Sequence, residues 1–328
     1  MSIDTELKVS VNPYSPGHKS DWDHVLDHSI NGTFLHRREF MEYHGDRFED
    51  ASLIIYSEDH PVAVFPAEKD VQTVHSHRGL TYAGWILIKG LSLKDIQEII
   101  ENTKAFYHNQ GIERLEIRMV PDFFAKESQE DLKIAIQRAG GESIFTAIHH
   151  FTELPFKVRN KGKKWGKNKA IKAGLKIEIS NNFGPYWDDI LIPNLRERHR
   201  VSPTHSLLDI KYLAKTFSDN IKLFIVKHEE ELLAGAVVFE TATTAHLQYV
   251  AANQKGRNSK ALDYMMSFLI EEEFFHKSFF NMGVSHVPEA GMINQGLVNW
   301  KESFGGRPLE INTFQIFIDR DIVHDLKA

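Results

Sequence analysis

The sequence, 328 residues long, predicts an α/β (α+β) protein of two tandem units. Each unit is a mixed, mostly antiparallel sheet flanked by helices. Three observations carry this. First, two apolar runs joined by a polar turn occur twice, as ASLIIYSEDHPVAVFPAE and as IKLFIVKHEEELLAGAVVFE, the pattern of a hairpin. Second, each hairpin is followed by more strand, a long amphipathic helix and another strand. Third, the two series keep step, about 165 to 170 residues apart: Leu53 matches Leu223, Ile96 falls near Met265, and Leu115 near Phe280. Residue identity between the halves is weak, so the repeat is read from the order of elements. The boundaries are set at 1–154 and 155–328, the second unit opening on a basic segment, 155–176.

In order, DWDHVLDHSI (21–30) and RREFMEYHGDRF (37–48) read as helices. The first hairpin turns at Ser57 to His60, and TVHSHRGLTYAGWILI (73–88) continues the sheet. In SLKDIQEIIENTKAFYHNQG, Ser92 caps a helix whose stripe is Ile96, Ile99, Ile100, Thr103 and Phe106, and Gly111 closes it. IERLEIRMV is a strand, SQEDLKIAIQRAGG a helix with a glycine stop, and IFTAIHHFTEL a strand. In the second copy TAHLQYVAA extends the sheet, SKALDYMMSFLIEEEFFHK is the long helix and SFFNMGVS the next strand. The last helix carries Ile293, Leu297, Trp300 and Phe304 at helical spacing and stops at Gly305 and Gly306, which accept the left-handed conformation. Lys301 stands about 100° from Trp300, bordering that stripe.

Composition narrows the classes. The chain is 42% hydrophobic and 26% charged, ordinary for a globular protein with a sizeable core. No window approaches the roughly 20 apolar residues of a membrane span. MSIDTELKVS lacks the basic and apolar regions of a signal peptide. With no cysteine, disulfides, thiolate metal sites and a cysteine nucleophile are excluded, which fits a cytoplasmic protein. A formal net charge of -6 argues against a broad nucleic-acid surface, so any such contact has to be a local patch.

That patch exists between the copies. From Pro155 to Ser180 there are nine Lys or Arg and one acid, Glu178. The run reads either as a solvated connector or as an anion-binding edge. Trp165 inside it, with Lys164 beside it, and Ile171 and Leu175 at helical spacing are more than a linker needs, and the two readings stand level; a phosphate-bearing substrate is the natural ligand of such an edge. A second basic cluster, NLRERHRVSPTHS, holds Arg196, Arg198, His199, Arg200 and His205 around Pro203. It suits a carboxylate or phosphate fork, or is simply a surface helix end. In YVAANQKGRNSKALDYMM a strand gives way to a polar loop and a helix start, a place where backbone N–H groups attract phosphate. There Lys255 and Arg257 add charge, Gly256 allows a tight backbone and Ser259 can cap. His75 and His77 alternate on one strand face, but no third metal ligand is evident.

The stretch FFNMGVS, a loop with Asn and Gly, then NQGLVNWKESFGG resembles the C-terminal motif of Fem-type peptidoglycan aminoacyltransferases and their relatives in the GNAT acyltransferase superfamily. Trp300 stands where that motif commonly has Phe. The likeness runs back through KLFIVKHEEELLAGAVVFE, HLQYVAANQKG, GKKWGKNKAIKAGL and NGTFLHRREFMEYHGDRFED, most of the chain. It implies two GNAT-like folds in tandem and acyl or aminoacyl transfer to an amine, with no metal. The donor would lie where two strands splay apart. The splayed strand maps to AHLQYVAA and the phosphate loop to Gln254, Lys255, Gly256, Arg257, Asn258 and Ser259. The usual loop has the form Q/R-x-x-G-x-G/A; here the glycine is displaced to 256.

The resemblance places Lys301 near the reacting centre, for the oxyanion or a substrate phosphate. An amine attacking a carbonyl needs a proton acceptor, and His246 and His286 are the candidates, having an ordinary pKa near 6.5. Tyr264 and Ser285 are candidate donors to the leaving group. Arg198, His199, Arg200, His205, Lys164, Trp165 and Phe304 are candidate substrate contacts; by family analogy so are His36 and Arg37, with Arg38 beside them. The expected reaction moves an acyl group from acyl-coenzyme A to an amine on an anionic small molecule or cell-wall precursor. Aminoacyl-tRNA is the alternative donor, with no DNA partner. A binding protein that kept the fold without the chemistry is the third reading.

Overall fold

A computed structural model of the chain describes residues 8–285 and 293–318. Its contacts divide the chain into two compact units, Met1–Thr146 with Ile311–Ala328, and Ala147–Glu310.

In the first unit, strand β1 (Val9–Pro13) precedes helix α1 (Lys19–His28), and β2 (Leu53–Ser57) and β3 (His60–Phe65) form the expected hairpin. With Ile86–Leu87 these strands make a four-stranded antiparallel sheet. The region 73–88 is strand only at β4 (Thr73–His75) and again at Ile86–Leu87. Between them the chain turns through left-handed conformations at His77 (φ 50°) and Gly84 (φ 85°), which no strand tolerates. The region 37–48 is likewise broken: one α-helical turn at Arg38–Met41, then 3-10 turns over Glu42–Arg47. Helix α2 (Leu93–His108) starts as its sequence requires, the Ser92 hydroxyl accepting from the Asp95 N–H and the Asp95 carboxylate accepting from the Ser92 N–H. It covers β5 (Arg114–Arg118) with α3 (Glu130–Arg138), over a core of Ile99, Ile100, Leu115, Ile117, Ile136 and Ile316.

The second unit begins within β6 (Glu142–Glu153). Helix α4 (Lys161–Lys172) follows, then β7 (Lys176–Ser180), α5 (Ile192–His199), β8 (Ile221–His228), β9 (Glu231–Glu240), β10 (Thr244–Ala252), short helix α6 (Gln254–Asn258), α7 (Ala261–Phe268), β11 (Phe279–Val284), α8 (Gln295–Glu302) and β12 (Arg307–Phe317). Its sheet runs β7-β8-β9-β10-β11-β6, antiparallel except for the parallel pair β10–β11. The first unit repeats this device: β4 and β5 pair in parallel, and β5 pairs antiparallel with β12. The offset holds element by element, from Leu93 to Ala261, Arg114 to Phe279, Glu130 to Gln295 and Glu142 to Arg307, about 165 to 168 residues each time. The last strand of each sequence copy therefore completes the sheet of the other unit.

The basic run proves to be a helix. The Asn160 side chain accepts from the Lys163 N–H to start α4. Lys163 reaches Asp263 at 2.9 Å, and Lys167 reaches Glu271 and Glu272 at 2.9 Å each, so α4 lies along α7. The long helix expected over 259–277 is shorter. After Phe268 it widens into a π turn, Leu269–Glu273, from which Glu271 also accepts the Val158 N–H at 2.8 Å. Gly305, at φ 90°, ends the turn after α8, and a Cβ there would stand 2.3 Å from the Phe156 ring.

Gly256 is set by packing. A Cβ on it would lie 2.2 Å from the Leu233 carbonyl oxygen, a backbone atom that cannot swing away. Gly256→Ala is expected to lower unfolding stability by about 1–3 kcal/mol, read by chemical denaturation. An unchanged midpoint would show that α6 is free to lift from β9.

Candidate functional site

Strands β10 and β11 pair over three positions only, Thr244↔Phe279, Ala245↔Phe280 and His246↔Asn281. Past His246, β10 continues to Ala252 paired with β9 alone among the described strands, while the register of β11 against β6 slips between Asn281 and Val284. The sheet opens there, and a cleft of about 490 Å³ occupies the neighbourhood. Its walls are Val250, Ala251 and Ala252 of β10, Asn194 and Arg198 of α5, Arg257 and Leu262, and Leu297 and Trp300 of α8. A second hollow of about 210 Å³ shares Arg198, Arg257, Leu262 and Trp300 and adds Lys163, Lys260 and Asp263. Four cations and one carboxylate line it, which suits an anion.

Lys301 is the buried residue of α8, 2% exposed, while Leu297 and Trp300 of the neighbouring stripe are part-exposed and line the cleft. Its ammonium group donates to the carbonyls of Gly283 (2.7 Å) and Val284 (2.6 Å), at the end of β11. Burial lowers its pKa from 10.5 to about 7. Lys301 therefore spans the end of the strand that has parted from β10.

His246 is buried 8% exposed, and burial lowers its pKa to about 4. The ordinary value that recommended it as a base does not hold in this fold. Its Nδ1 lies 2.6 Å from Asn281 Oδ1, an oxygen that also accepts the Gly283 N–H at 3.0 Å. That assigns the proton to Nδ1 and makes Nε2, 3.2 Å from Gln248 Oε1, an acceptor, so the Gln248 amide bonds it with its NH2 group turned toward the ring. His246, Asn281 and Lys301 thus meet at the point where the strands part. Ser285 is fully buried, its hydroxyl 2.9 Å from His150 Nδ1. His150 was not singled out by sequence; burial first, then the charge of Lys301, lowers its pKa. Asn281 was also missed, though a lone amide in the apolar strand FFNMGV is a readable signal. His286 lies outside the described residues.

The other candidates divide. Arg198 and Arg257 line the cleft. Gln254 to Ser259 are a helical turn rather than a loop. The Asn253 side chain accepts the Gly256 N–H, and the N–H groups of Arg257, Ser259 and Lys260 bond to carbonyls of the same segment. A helix begins here because Asn253 is a strong N-cap. Arg257 itself donates to the Ala252 carbonyl (2.6 Å) and Gln254, Gln254 also bonds Asn258, Lys255 pairs with Glu231, and the Ser259 hydroxyl bonds the Gly256 carbonyl. Arg200 is the exposed left-handed residue ending α5, and the side chain of His199 is outside the described residues. His205 is buried against Tyr249, Nδ1 to hydroxyl 2.7 Å, and Phe239. Tyr264 packs on the core and Phe304 is fully buried in it. Lys164 is exposed, and Trp165 is 58% exposed.

In the first unit, His36 is fully buried and both ring nitrogens are engaged with backbone, Nδ1 accepting the Thr33 N–H and Nε2 at the Tyr82 carbonyl. Burial holds its pKa at about 4. Arg37 pairs with Asp23 and Asp27, and Arg38 with Glu42 and Asp50. These residues are committed to local structure. His75 and His77 do not share a strand face: β4 ends at His75, which pairs with Glu116 at 3.0 Å, and His77 sits in a left-handed turn. Among the described residues no three His, Cys, Asp or Glu side chains are grouped to hold a metal, and no helix is long and apolar enough to cross a membrane.

No family model matches the chain. No curated protein matches it in sequence. Solved structures do match in fold. The FemX crystal structure superposes with TM-score 0.68 at 11% identity, over 97% of this chain and 99% of that one. The C-terminal domain of a putative lysylphosphatidylglycerol synthetase from Agrobacterium fabrum gives 0.58 at 12% identity, over 94% of each chain. A tandem GNAT protein from the clavulanic acid biosynthesis pathway gives 0.51 at 8% identity, over 96% and 100%. The tandem GNAT-like fold expected from the sequence is the fold of this chain.

The burial of Lys301 has a measurable sign. With a folded pKa of about 7 against 10.5, the unfolded chain binds more protons between those values, so stability rises with pH across that window. Lys301→Met is expected to remove a few kcal/mol of that rise, seen by urea denaturation at successive pH values. Identical slopes for both proteins would mean that the ammonium group is solvated.

Proposed function

We propose that the second unit transfers an acyl or aminoacyl group from a phosphate-bearing carrier to an amine. The observation that carries this is the parting of β10 from β11 beside a cation-lined cleft, with the Lys301 ammonium group held at the end of β11. An open sheet edge offers unpaired backbone groups to an extended donor, and the cations offer its phosphates a counter-charge.

The amine attacks the ester or thioester carbonyl carbon, and the electron pair of the C=O bond moves to oxygen. In this reading Lys301, two of its N–H groups fixed on carbonyls, directs the third at that oxyanion. A donor already held in place contributes more than one that has to reorganise. Collapse expels the carrier's oxygen or sulfur, and the proton lost by the amine leaves with it. His246, weakly basic at a pKa of about 4, acts through Asn281 to fix the end of β11 and is a positioning residue.

The first expectation for the carrier was coenzyme A. A different carrier is favoured because the Gly256 N–H, which a pyrophosphate cradle would use, is taken by the Asn253 side chain. Phosphate binding then falls to Arg198, Arg257 and Lys260, since Lys163 is paired with Asp263, and α4 adds further basic surface. Side-chain cations spread along a groove suit a nucleic-acid backbone, which makes aminoacyl-tRNA the preferred donor.

The test is transfer to an amine acceptor, run in parallel with aminoacyl-tRNA and with acyl-coenzyme A. Lys301→Met is expected to cut kcat at least about tenfold, or 1.4 kcal/mol, with folding retained. Because protonated Lys301 donates, wild-type kcat should fall above about pH 7, and that limb should vanish in the variant. Turnover indifferent to Lys301 would sink its role, and no transfer from either donor would leave a binding protein on this fold.

A further inference from the structure

On one side of the cationic hollow stands a side chain that the transfer chemistry leaves unused. Trp165 lies on α4 and is 58% exposed, although indole is the largest apolar surface a residue can offer to water. Two ammonium groups stand over its ring: Lys169 Nζ at 5.3 Å from the ring centroid and Lys260 Nζ at 6.0 Å. Lys260 belongs to the wall of the hollow, with Lys163, Arg198 and Arg257. It holds the left-handed conformation (φ 66°) at the start of α7, rare for a lysine. Lys169 is anchored by donating to the Asn258 carbonyl at 3.2 Å. The indole is thus open to solvent, flanked by cations, and shares Lys260 with the wall of an anion-suited cavity.

An exposed aromatic face next to fixed ammonium groups is what a nucleotide requires. The base stacks on the ring, and its own phosphate, carried at the edge of the base on the ribose, meets the cations. Both carriers considered above contain adenosine 5′-phosphate: in tRNA it is the 3′-terminal nucleotide, whose ribose bears the acyl ester, and in coenzyme A it carries a further 3′-phosphate and lies at the end opposite the acyl group. We infer that Trp165 is the stacking platform of an adenine-nucleotide subsite in which Lys260 and Lys169 hold the phosphate, with the acyl end of the carrier directed toward the parted strands. The inference rests on the acyl-transfer reading for the identity of the ligand.

Adenosine 3′,5′-bisphosphate and inorganic pyrophosphate are titrated calorimetrically into the full chain, Trp165→Ala, Trp165→Phe and Lys260→Glu. The bisphosphate is expected to bind the wild type, at least about tenfold more weakly to Trp165→Ala, and near normally to Trp165→Phe. Pyrophosphate should bind Trp165→Ala within about twofold of wild type and lose affinity in Lys260→Glu. Displacement of the bisphosphate by coenzyme A or by a CCA-ended RNA hairpin then says which source supplies the adenosine. Equal affinities for wild type and Trp165→Ala overturn the subsite. So does an equal loss for both ligands, or a wild type that ignores the bisphosphate yet sediments with anionic lipid vesicles through Trp165. The two readings fail separately. Lys301-dependent transfer with donor KM unchanged in Trp165→Ala removes the subsite alone. Bisphosphate stacking with no transfer from any donor removes the acyl-transfer reading and leaves a nucleotide site.

Discussion

The second unit depends on how one end of β11 satisfies its backbone. Where two strands run side by side, each carbonyl finds an N–H across the gap. Past His246 and Asn281 that arrangement ends, and the carbonyls of Gly283 and Val284 turn to the Lys301 ammonium group instead. The lysine reaches them because α8 sets it on the inward side of its last turn, with Phe304 and Gly305 closing the chain behind it. A charged group that stands in for a missing strand keeps the gap open without leaving buried carbonyls bare. The cost is desolvation of an ammonium group with no carboxylate among its partners in the described structure, which is why its pKa falls to about 7.

Around this opening the polar groups are linked. Asn281 sits inside an apolar strand and binds in three directions: His246 Nδ1 at 2.6 Å, the Gly283 N–H at 3.0 Å and the His150 carbonyl at 3.5 Å. Each bond fixes a different element, β10, the end of β11 and β6. His150 in turn holds the Ser285 hydroxyl. The residues nearest the parting therefore build its geometry, and both His246 and His150 stay uncharged at neutral pH because burial and the nearby Lys301 disfavour the imidazolium. A site that holds one cation among neutral rings is electrostatically simple: a developing oxyanion there meets a single positive charge in a low-dielectric setting.

Much of the architecture was legible because it follows from periodicity and punctuation. The two hairpins, the Ser92 cap and the glycine stop after Phe304 come from local rules that tertiary contacts did not override. The elements that sequence misplaced are those decided by distant partners. Residues 73–88 carry strand-like composition, yet His77 and Gly84 turn the chain away from the sheet. The segment after β10 looks like a phosphate loop by its Gln, Gly and Ser, but Asn253 caps it into a helix and Gly256 is there for the Leu233 carbonyl. The apolar stripe of α8 divides: Leu297 and Trp300 line a cleft, Phe304 is in the core, and Lys301 at the border of the stripe is inside as well. Periodicity cannot see this, since a ligand cleft and a core want the same side chains. His36, a candidate by family analogy, and His205, a candidate from the basic cluster around Pro203, are buried and bonded to the Thr33 N–H and the Tyr249 hydroxyl.

The basic run between the copies shows how composition and structure divide the work. Counted as charge, nine cations against one acid read as a solvated connector or as an anion edge. In the fold they separate by position along α4. Lys163 and Lys167 point at Asp263, Glu271 and Glu272, holding α4 to α7 and its π turn. Those ion pairs neutralise the face that packs. Lys164 and Trp165 are left outward, with Lys169 brought back over the indole by its bond to the Asn258 carbonyl. The same helix is thus a strut on one side and a cationic, aromatic edge on the other. The strut is what gives the edge its fixed place beside Arg257 and Lys260, for a helix pinned by ion pairs loses little further freedom when a ligand arrives.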